Sequence, residues 1–218
     1  MKRSWQNPHA LLILMSIAMP IAFSTWTVLL NNFAVERAAF TGVEIGILQS
    51  LREVPGFLAF TTVFVLLVLR EQTFAVIALA LLGIGVAMTG FFPNAIGLYL
   101  TTVLMSIGFH DIEVVKQALA LQWYSKAEAP QAFGKLISVG SITSLVVYAA
   151  LWVLLAPLGI DYVWLFLVAG VACVGLAVFM SAGFPTFHAE HEQTSKLVLK
   201  KRYWLFYALQ FFSGARRQ

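Results

Sequence analysis

The polar positions of this chain fall in short clusters between long apolar runs, and the spacing of those clusters predicts its elements. Apolar segments at 10–31, 43–69, 72–92, 95–123, 132–157 and 161–184 each reach the about 20 residues that a helix needs to cross the hydrocarbon layer of a bilayer. Every boundary carries its own marker. Asn31, Asn32, Glu36 and Arg37 follow the first run, Arg70 and Glu71 separate the second from the third, and Pro93 and Asn94 follow the third. Lys126 and Pro130 follow the fourth, Pro157 and Asp161 the fifth, and Pro185 opens a polar stretch after the sixth. The pattern predicts an all-α, polytopic membrane helix bundle of six transmembrane helices, joined by short connections that make consecutive helices antiparallel neighbours.

Three units are expected: a six-helix transmembrane domain over 1–184, a cytoplasmic linker over 185–202, and the start of a truncated seventh helix over 203–218. The last apolar run, 203–215, is too short to span. Phe206, Phe211 and Phe212 point in different directions and leave no clean polar face, which favours a helix cut off partway over one lying on the membrane surface.

Composition sharpens the class. Of 218 residues 60% are apolar and 11% charged, against about 25% charged in a soluble domain, so this chain cannot furnish the surface of a water-soluble fold. The one cysteine, Cys173, lies inside an apolar run, which excludes an intrachain disulfide and a cysteine-based zinc site. A net charge of +4 could speak for nucleic acid, but the basic residues are scattered between apolar segments and form no basic face. They report topology instead. Lys2, Arg3, Arg70, Lys126, Lys135, Lys196, Lys200, Lys201 and Arg202 fall on one side of the six-span layout and only Arg37 on the other. Nine against one places the N-terminus in the cytoplasm. Lys2 and Arg3 before an apolar run resemble a secretory leader, but the run is long, lacks a small-residue cleavage site and is followed by further spans; it reads as an uncleaved first helix.

The fourth span carries the candidate chemistry. His110, Asp111, Glu113, Lys116 and Gln117 lie in its middle and inner half, where Asp and Lys cost about 2.5 to 3.5 kcal/mol each at a helix centre. About a dozen Leu, Ile, Val and Phe side chains at about 0.3 to 0.6 kcal/mol each only offset Asp111 and Lys116, so this helix cannot face lipid on all sides. At 100° per residue Tyr99, Thr102, Ser106, His110, Glu113, Gln117 and Tyr124 fall within an arc of about 80°, a polar stripe along the helix. Lys116 can pair with Glu113 three residues away. Asp111 needs a partner on another helix, and Arg52, beside Glu53 in the second span, is the expected one. The predicted solute and proton pathway is therefore His110, Glu113, Gln117, Asp111, Lys116, Arg52 and Glu53, since intramembrane ionisable groups mark such pathways. The bland alternative is a buried structural ion-pair network or a dimer interface. His110, whose ordinary titration lies near neutrality, makes protonation beside Glu113 a candidate coupling step.

Pro55 and Gly56 predict a kink near Arg52 that could gate, or simply adapt packing. Gly42 and Gly46 form a small-residue pair suited to close helix contact, and Gly83, Gly85 and Gly90 read as helix-packing glycines. His188, Glu190 and His191 do not have the spacing of a zinc protease, so no metal site is expected. There is no P-loop and no nucleophile elbow. The chain reads as a non-enzyme without cofactors.

Six spans with the N-terminus inside, then a basic linker and the start of a seventh span, resemble the N-terminal half of a major facilitator superfamily transporter. The cytoplasmic start of the fifth span, with Pro130, Gly134, Lys135, Ser138, Gly140 and Ser141, is also similar to that family. The glycine, aspartate and basic signature between the family's helices 2 and 3 is replaced here by Arg70, Glu71 and Gln72, and the fifth span has no interior Gly-Pro, so the resemblance is to a divergent member. It implies two three-helix repeats with the first and fourth helices lining a central pathway. Ser16, Pro20, Ser24, Thr25, Thr27 and Asn31 give the first span a polar complement that suits that place. It also implies a secondary active or facilitative carrier of a small polar or charged solute, with protons as candidate coupling ion. The expected partners are that solute, the lipid bilayer and a C-terminal six-helix half beyond Gln218; the expected site is a bacterial inner membrane. A self-associating six-helix channel or membrane subunit is the alternative, and an intramembrane enzyme using His110 lacks a nucleophile or metal set.

Overall fold

A computed structural model of the chain describes residues 5–187, 201–205, 208 and 209. The first apolar run forms α1 (Pro8–Ala38). Asn7 caps it by accepting from the Ala10 N–H at 2.8 Å, and Pro8 occupies the first turn, where its missing N–H costs nothing. Ala39, in the left-handed region at φ 53°, turns the chain out of the helix while the Phe40 N–H donates to the Ala34 carbonyl. Thr41 and Glu44 then build a reciprocal cap for α2 (Gly42–Phe57).

The second apolar run is not one helix. After α2 come a 3-10 turn, Leu58–Thr61, and a short α3 (Thr62–Leu66). Helical hydrogen bonding runs through Arg52 to Phe57, and the 3-10 turn at 58–61 follows directly on Pro55 and Gly56. Pro55 cannot donate to the carbonyl one turn back and Gly56 weakens the helix after it. The backbone tightens within the next turn to shorter-range hydrogen bonds, with the Thr61 hydroxyl donating to the Leu58 carbonyl at 2.8 Å.

The remaining spans are α4 (Glu71–Thr89), α5 (Ala95–Trp123), α6 (Ala129–Leu155) and α7 (Tyr162–Gly183). Asn94 and Asp161 cap α5 and α7 through the Gly97 and Val163 N–H groups. Ahead of α6, Ser125 donates from its hydroxyl and its N–H to Glu128, holding that exposed carboxyl below the usual carboxylate range. Helices α1, α4, α5, α6 and α7 are each long and apolar enough to cross a membrane. The described chain is an all-helical, multi-pass bundle.

Glycine sets how closely the helices pack. A Cβ on Gly83 would lie 2.7 Å from the Gly170 carbonyl oxygen, and one on Gly170 would collide with the Gly83 carbonyl, so α4 and α7 cross backbone to backbone. A Cβ on Gly85 would lie 2.5 Å from the Met105 backbone nitrogen, and one on Gly108 would collide with the backbone of Ala78 and Leu82 of α4. Helix α4 thus packs on both α5 and α7, while α1 packs on α6 and α7 and α2 on α5. This leaves α1 and α5 at the centre, α2 and α6 on opposite flanks, and α4 and α7 behind.

The arrangement repeats itself. Helix α1 takes α6 from the other three-helix unit as α5 takes α2 from the first, each pair carrying a serine bond: Ser24 donates to Ser144 at 2.9 Å, and Ser106 donates to the Arg52 carbonyl. At one end of the bundle Arg37 pairs with Asp161, and Tyr162 donates to Glu36 at 3.0 Å. At the other, Gln72 donates to the Pro185 carbonyl and accepts from the Phe187 N–H, anchoring the chain as it leaves α7.

Gly42 and Gly46, expected at a close helix contact, face open space within this chain. Of the expected linker and seventh helix only 185–187, 201–205, 208 and 209 are described, with a 3-10 turn at Lys201–Tyr203. The cluster of His188, Glu190 and His191, and Phe206, Phe211 and Phe212, lie outside the described residues.

The crossing makes a direct prediction. Gly170→Ala should lower stability by about 1 to 3 kcal/mol through overpacking, read as a fall in the melting temperature in mild detergent, whereas Gly175→Ala, where an added Cβ meets nothing within 4 Å, should be close to neutral. Equal melting temperatures for the two variants would contradict the close crossing.

Candidate functional site

The charged residues of the fourth span are held where α5 meets α1, α2 and α3. Gly108 draws α5 against α4 on one side, so the positions that follow it turn towards the other helices. His110 lodges on Gly56 of α2: an added Cβ there would stand 2.6 Å from Cε1 and 2.7 Å from Nε2 of the imidazole. The glycine that sequence reasoning treats as packing relief is the seat of the histidine ring.

Asp111 accepts a hydrogen bond from the Thr62 hydroxyl at 2.7 Å. Arg52 does not pair with it. Instead Arg52 grips its own neighbour, Nε and Nη2 donating to Glu53 Oε1 at 2.9 and 2.6 Å. The expected Arg52–Asp111 partnership is therefore corrected: a guanidinium satisfied on its own helix leaves the Asp111 carboxylate to the nearest hydroxyl, which the broken second span brings up.

Lys116 points towards α1, its ammonium 3.8 Å from Met19 Sδ, a weak acceptor. Glu113 lies within electrostatic reach of both Lys116 and His110, and Glu53, Arg52 and Asp111 within reach of His110. Gln117 is exposed. Phe109 stacks on Phe23 of α1 with ring centroids 3.8 Å apart and meets the His110 ring edge-on at 5.1 Å. All seven predicted residues thus fall on α2 and the inner half of α5.

The polar stripe of α5 divides into two parts. Its outer members, Thr102 and Ser106, are fully buried and Ser106 is bonded to α2, while the stretch from His110 to Gln117 carries the charge. Likewise Ser16, Ser24 and Thr25 of α1 are buried. The more open row of α1 is Met19, Phe23, Thr27 and Asn31 at four-residue spacing, and Gln49 of α2 donates to Asn31 at 3.5 Å. Sequence reasoning missed Met19, Phe23 and Thr62, since a methionine, a phenylalanine and a threonine in apolar runs give no signal of their own.

The formal charges define what the cluster can do. Glu53, Asp111 and Glu113 set three carboxylates against the two cations Arg52 and Lys116, so the group has one negative charge in excess while His110 is neutral. One bound proton, or one cationic group of a solute, brings it to neutrality. Low dielectric makes that balance costly to leave uneven. Among the described residues no group of three or more His, Cys, Asp and Glu side chains is placed to hold a metal ion.

A separate cavity of about 250 Å³ lies between the first turn of α1, the end of α5 and the start of α6, lined by His9, Tyr124, Glu128, Gln131, Ala132 and Lys135. His9 Nδ1 is hydrogen-bonded to the Tyr124 hydroxyl, and burial followed by the Glu128 charge pushes that hydroxyl above its usual titration. None of the seven predicted residues lines it.

No family model matches the chain, and no curated protein matches its sequence. Solved structures do match its fold. The chain is similar to the POT family transporter PepTSo, in an in meso crystal structure, with a TM-score of 0.62 at 16% identity over 88% of this chain and 40% of that one. It is also similar to an auto-inhibited POT family peptide transporter, with a TM-score of 0.59 at 14% identity over 85% of this chain and 39% of that one. The chain has the fold of part of a membrane transporter. It spans about two fifths of the length of each of these structures.

The His110 seat is testable as a pair. Gly56→Ala should cost about 1 to 3 kcal/mol by forcing the imidazole aside, and His110→Ala in the same chain should recover much of it, a coupling visible in a double-mutant thermal unfolding cycle. Strictly additive effects would show that the ring and the glycine do not share this space.

Proposed function

We propose that this chain is one half of a divergent major facilitator superfamily secondary transporter, which carries a small polar or charged solute by alternating access together with a second six-helix half. The observation that carries the reading is the unbalanced charge cluster at the junction of α1, α2 and α5. Three carboxylates, two cations and a histidine are gathered on one central helix, α5, and one flank, α2, of a transporter fold. A merely structural network is stable when its charges cancel; an excess of one negative charge suits a site that takes up and releases a positive one.

In this reading His110 and Glu113 carry the coupling proton, Lys116 and Arg52 meet an anionic part of the solute, Glu53 holds Arg52, Asp111 answers to α3, and Gln117 lies nearest the open face. The aromatic pair Phe23 and Phe109 gives an apolar wall beside the charges. Because the fold is shared with a peptide transporter, short peptides, which carry both charges on one molecule, are the first solutes to test. The basic loops support a cytoplasmic N-terminus, and a bacterial inner membrane is the proposed location.

In cells expressing the native gene product, Glu113→Gln should abolish proton-driven accumulation of the carried solute while leaving counterflow exchange intact. Accumulation at the wild-type level would remove Glu113 from the coupling role.

A further inference from the structure

Segment α3 turns most of its apolar side chains outward. It follows the 3-10 turn at Leu58–Thr61, and beyond that turn Val63, Phe64, Val65, Leu67 and Val68 are exposed, Val68 by 85%. Leu66 and Leu69 are only partly buried against the core. Thr62, by contrast, is 2% exposed and donates to Asp111 at 2.7 Å. On the other side of the turn, Gly56 rests on His110. Two consecutive residues of α5 therefore brace the break in the second span, one before it and one after it.

We propose that the segment from Thr62 to Val68 is a gating arm, held against α5 by the Thr62–Asp111 hydrogen bond and released when the Asp111 carboxylate loses its charge or is taken by a solute. The proposal rests on the reading of the α5 cluster as the responsive site and adds to it the element that moves. A hydroxyl donating to an ionised carboxylate makes a bond about twice as strong as one between neutral groups. Neutralising Asp111 weakens the tether without removing any apolar packing.

The titratable group in electrostatic reach of Asp111 is His110 beside it; α4, packed on the other side of α5 at Gly108, brings Ala78 and Leu82 there. Arg52, Glu53 and Glu113 face His110. A break that already lacks regular helical hydrogen bonds supplies the hinge, so the arm can swing while α2 stays packed. Thr62 is in this scheme a positioning residue: it acts on the pathway only through Asp111.

Spin labels at Val68→Cys and Ile137→Cys, on opposite flanks of the bundle and in a Cys173→Ala background, read the arm by pulsed distance measurement on the whole chain in lipid nanodiscs. The expected result is one dominant distance for the parent at about pH 8, and a second population in Thr62→Val and in Asp111→Asn, its ratio to the first raised ~10-fold or more by loss of a charge-assisted bond. Thr62→Ser, which keeps the hydroxyl, should keep the parent distribution. A parent-like distribution in either Thr62→Val or Asp111→Asn overturns the proposal, as does release of the arm in Thr62→Ser. Should Thr62→Val not fold, Thr62→Ala carries the same test, growth of the second population supporting the tether and a parent-like distribution refuting it. The readout needs no solute, so it can fail while the transport reading of Glu113 stands, and the reverse.

Discussion

Ionised side chains inside a hydrocarbon layer must find partners, and that requirement places α5. With Asp111, Glu113 and Lys116 within about one and a half turns, the helix can be stable only where other helices surround its inner half. Helix α4 supplies one wall, and it can come close only because Gly108 and Gly85 have no side chains in the way. The charged face then turns towards α1, α2 and α3, where Met19, Arg52 with Glu53, and Thr62 meet it. The packing glycines and the charge cluster are two sides of one arrangement: tight apolar contact behind, polar contact in front.

The same economy of contact explains the flanks. Helices α2 and α6 each pack on one central helix of the opposite three-helix unit and carry many exposed apolar side chains, as expected of surfaces that meet lipid or another membrane domain. A flank held on one side tolerates irregular backbone better than a central helix does. The second span is accordingly where the helix breaks, and α5 braces the break with His110 and Asp111. The charge cluster and the irregular backbone thus lie within a few residues of each other, joined by the Thr62–Asp111 hydrogen bond and the seating of His110 on Gly56.

The helices themselves were largely legible in the sequence. Membrane spans are long, apolar and interrupted by polar markers, so 95–123 matched α5 to the residue and the ends of α4, α6 and α7 lay within about three residues. The charge cluster was legible too, because an ionisable residue in an apolar run has few innocent explanations. The second span misled, since its composition reads as one continuous helix; Pro55 and Gly56 announced a defect but not its form. Partner assignment failed for a similar reason. Charge alone matched Arg52 to Asp111, whereas geometry gave each a nearer partner.

The sequence by itself determined that this chain is a membrane helix bundle and which helix carries its charges, because hydropathy and the cost of burying charge are properties of composition along one dimension. Only the tertiary structure decided that His110 sits on Gly56, that Thr62 holds Asp111 and that Lys116 reaches Met19. Those contacts join residues far apart in the chain, and their geometry depends on how closely two backbones approach. That distance is set by glycines and helix breaks acting together in three dimensions, which no linear pattern encodes.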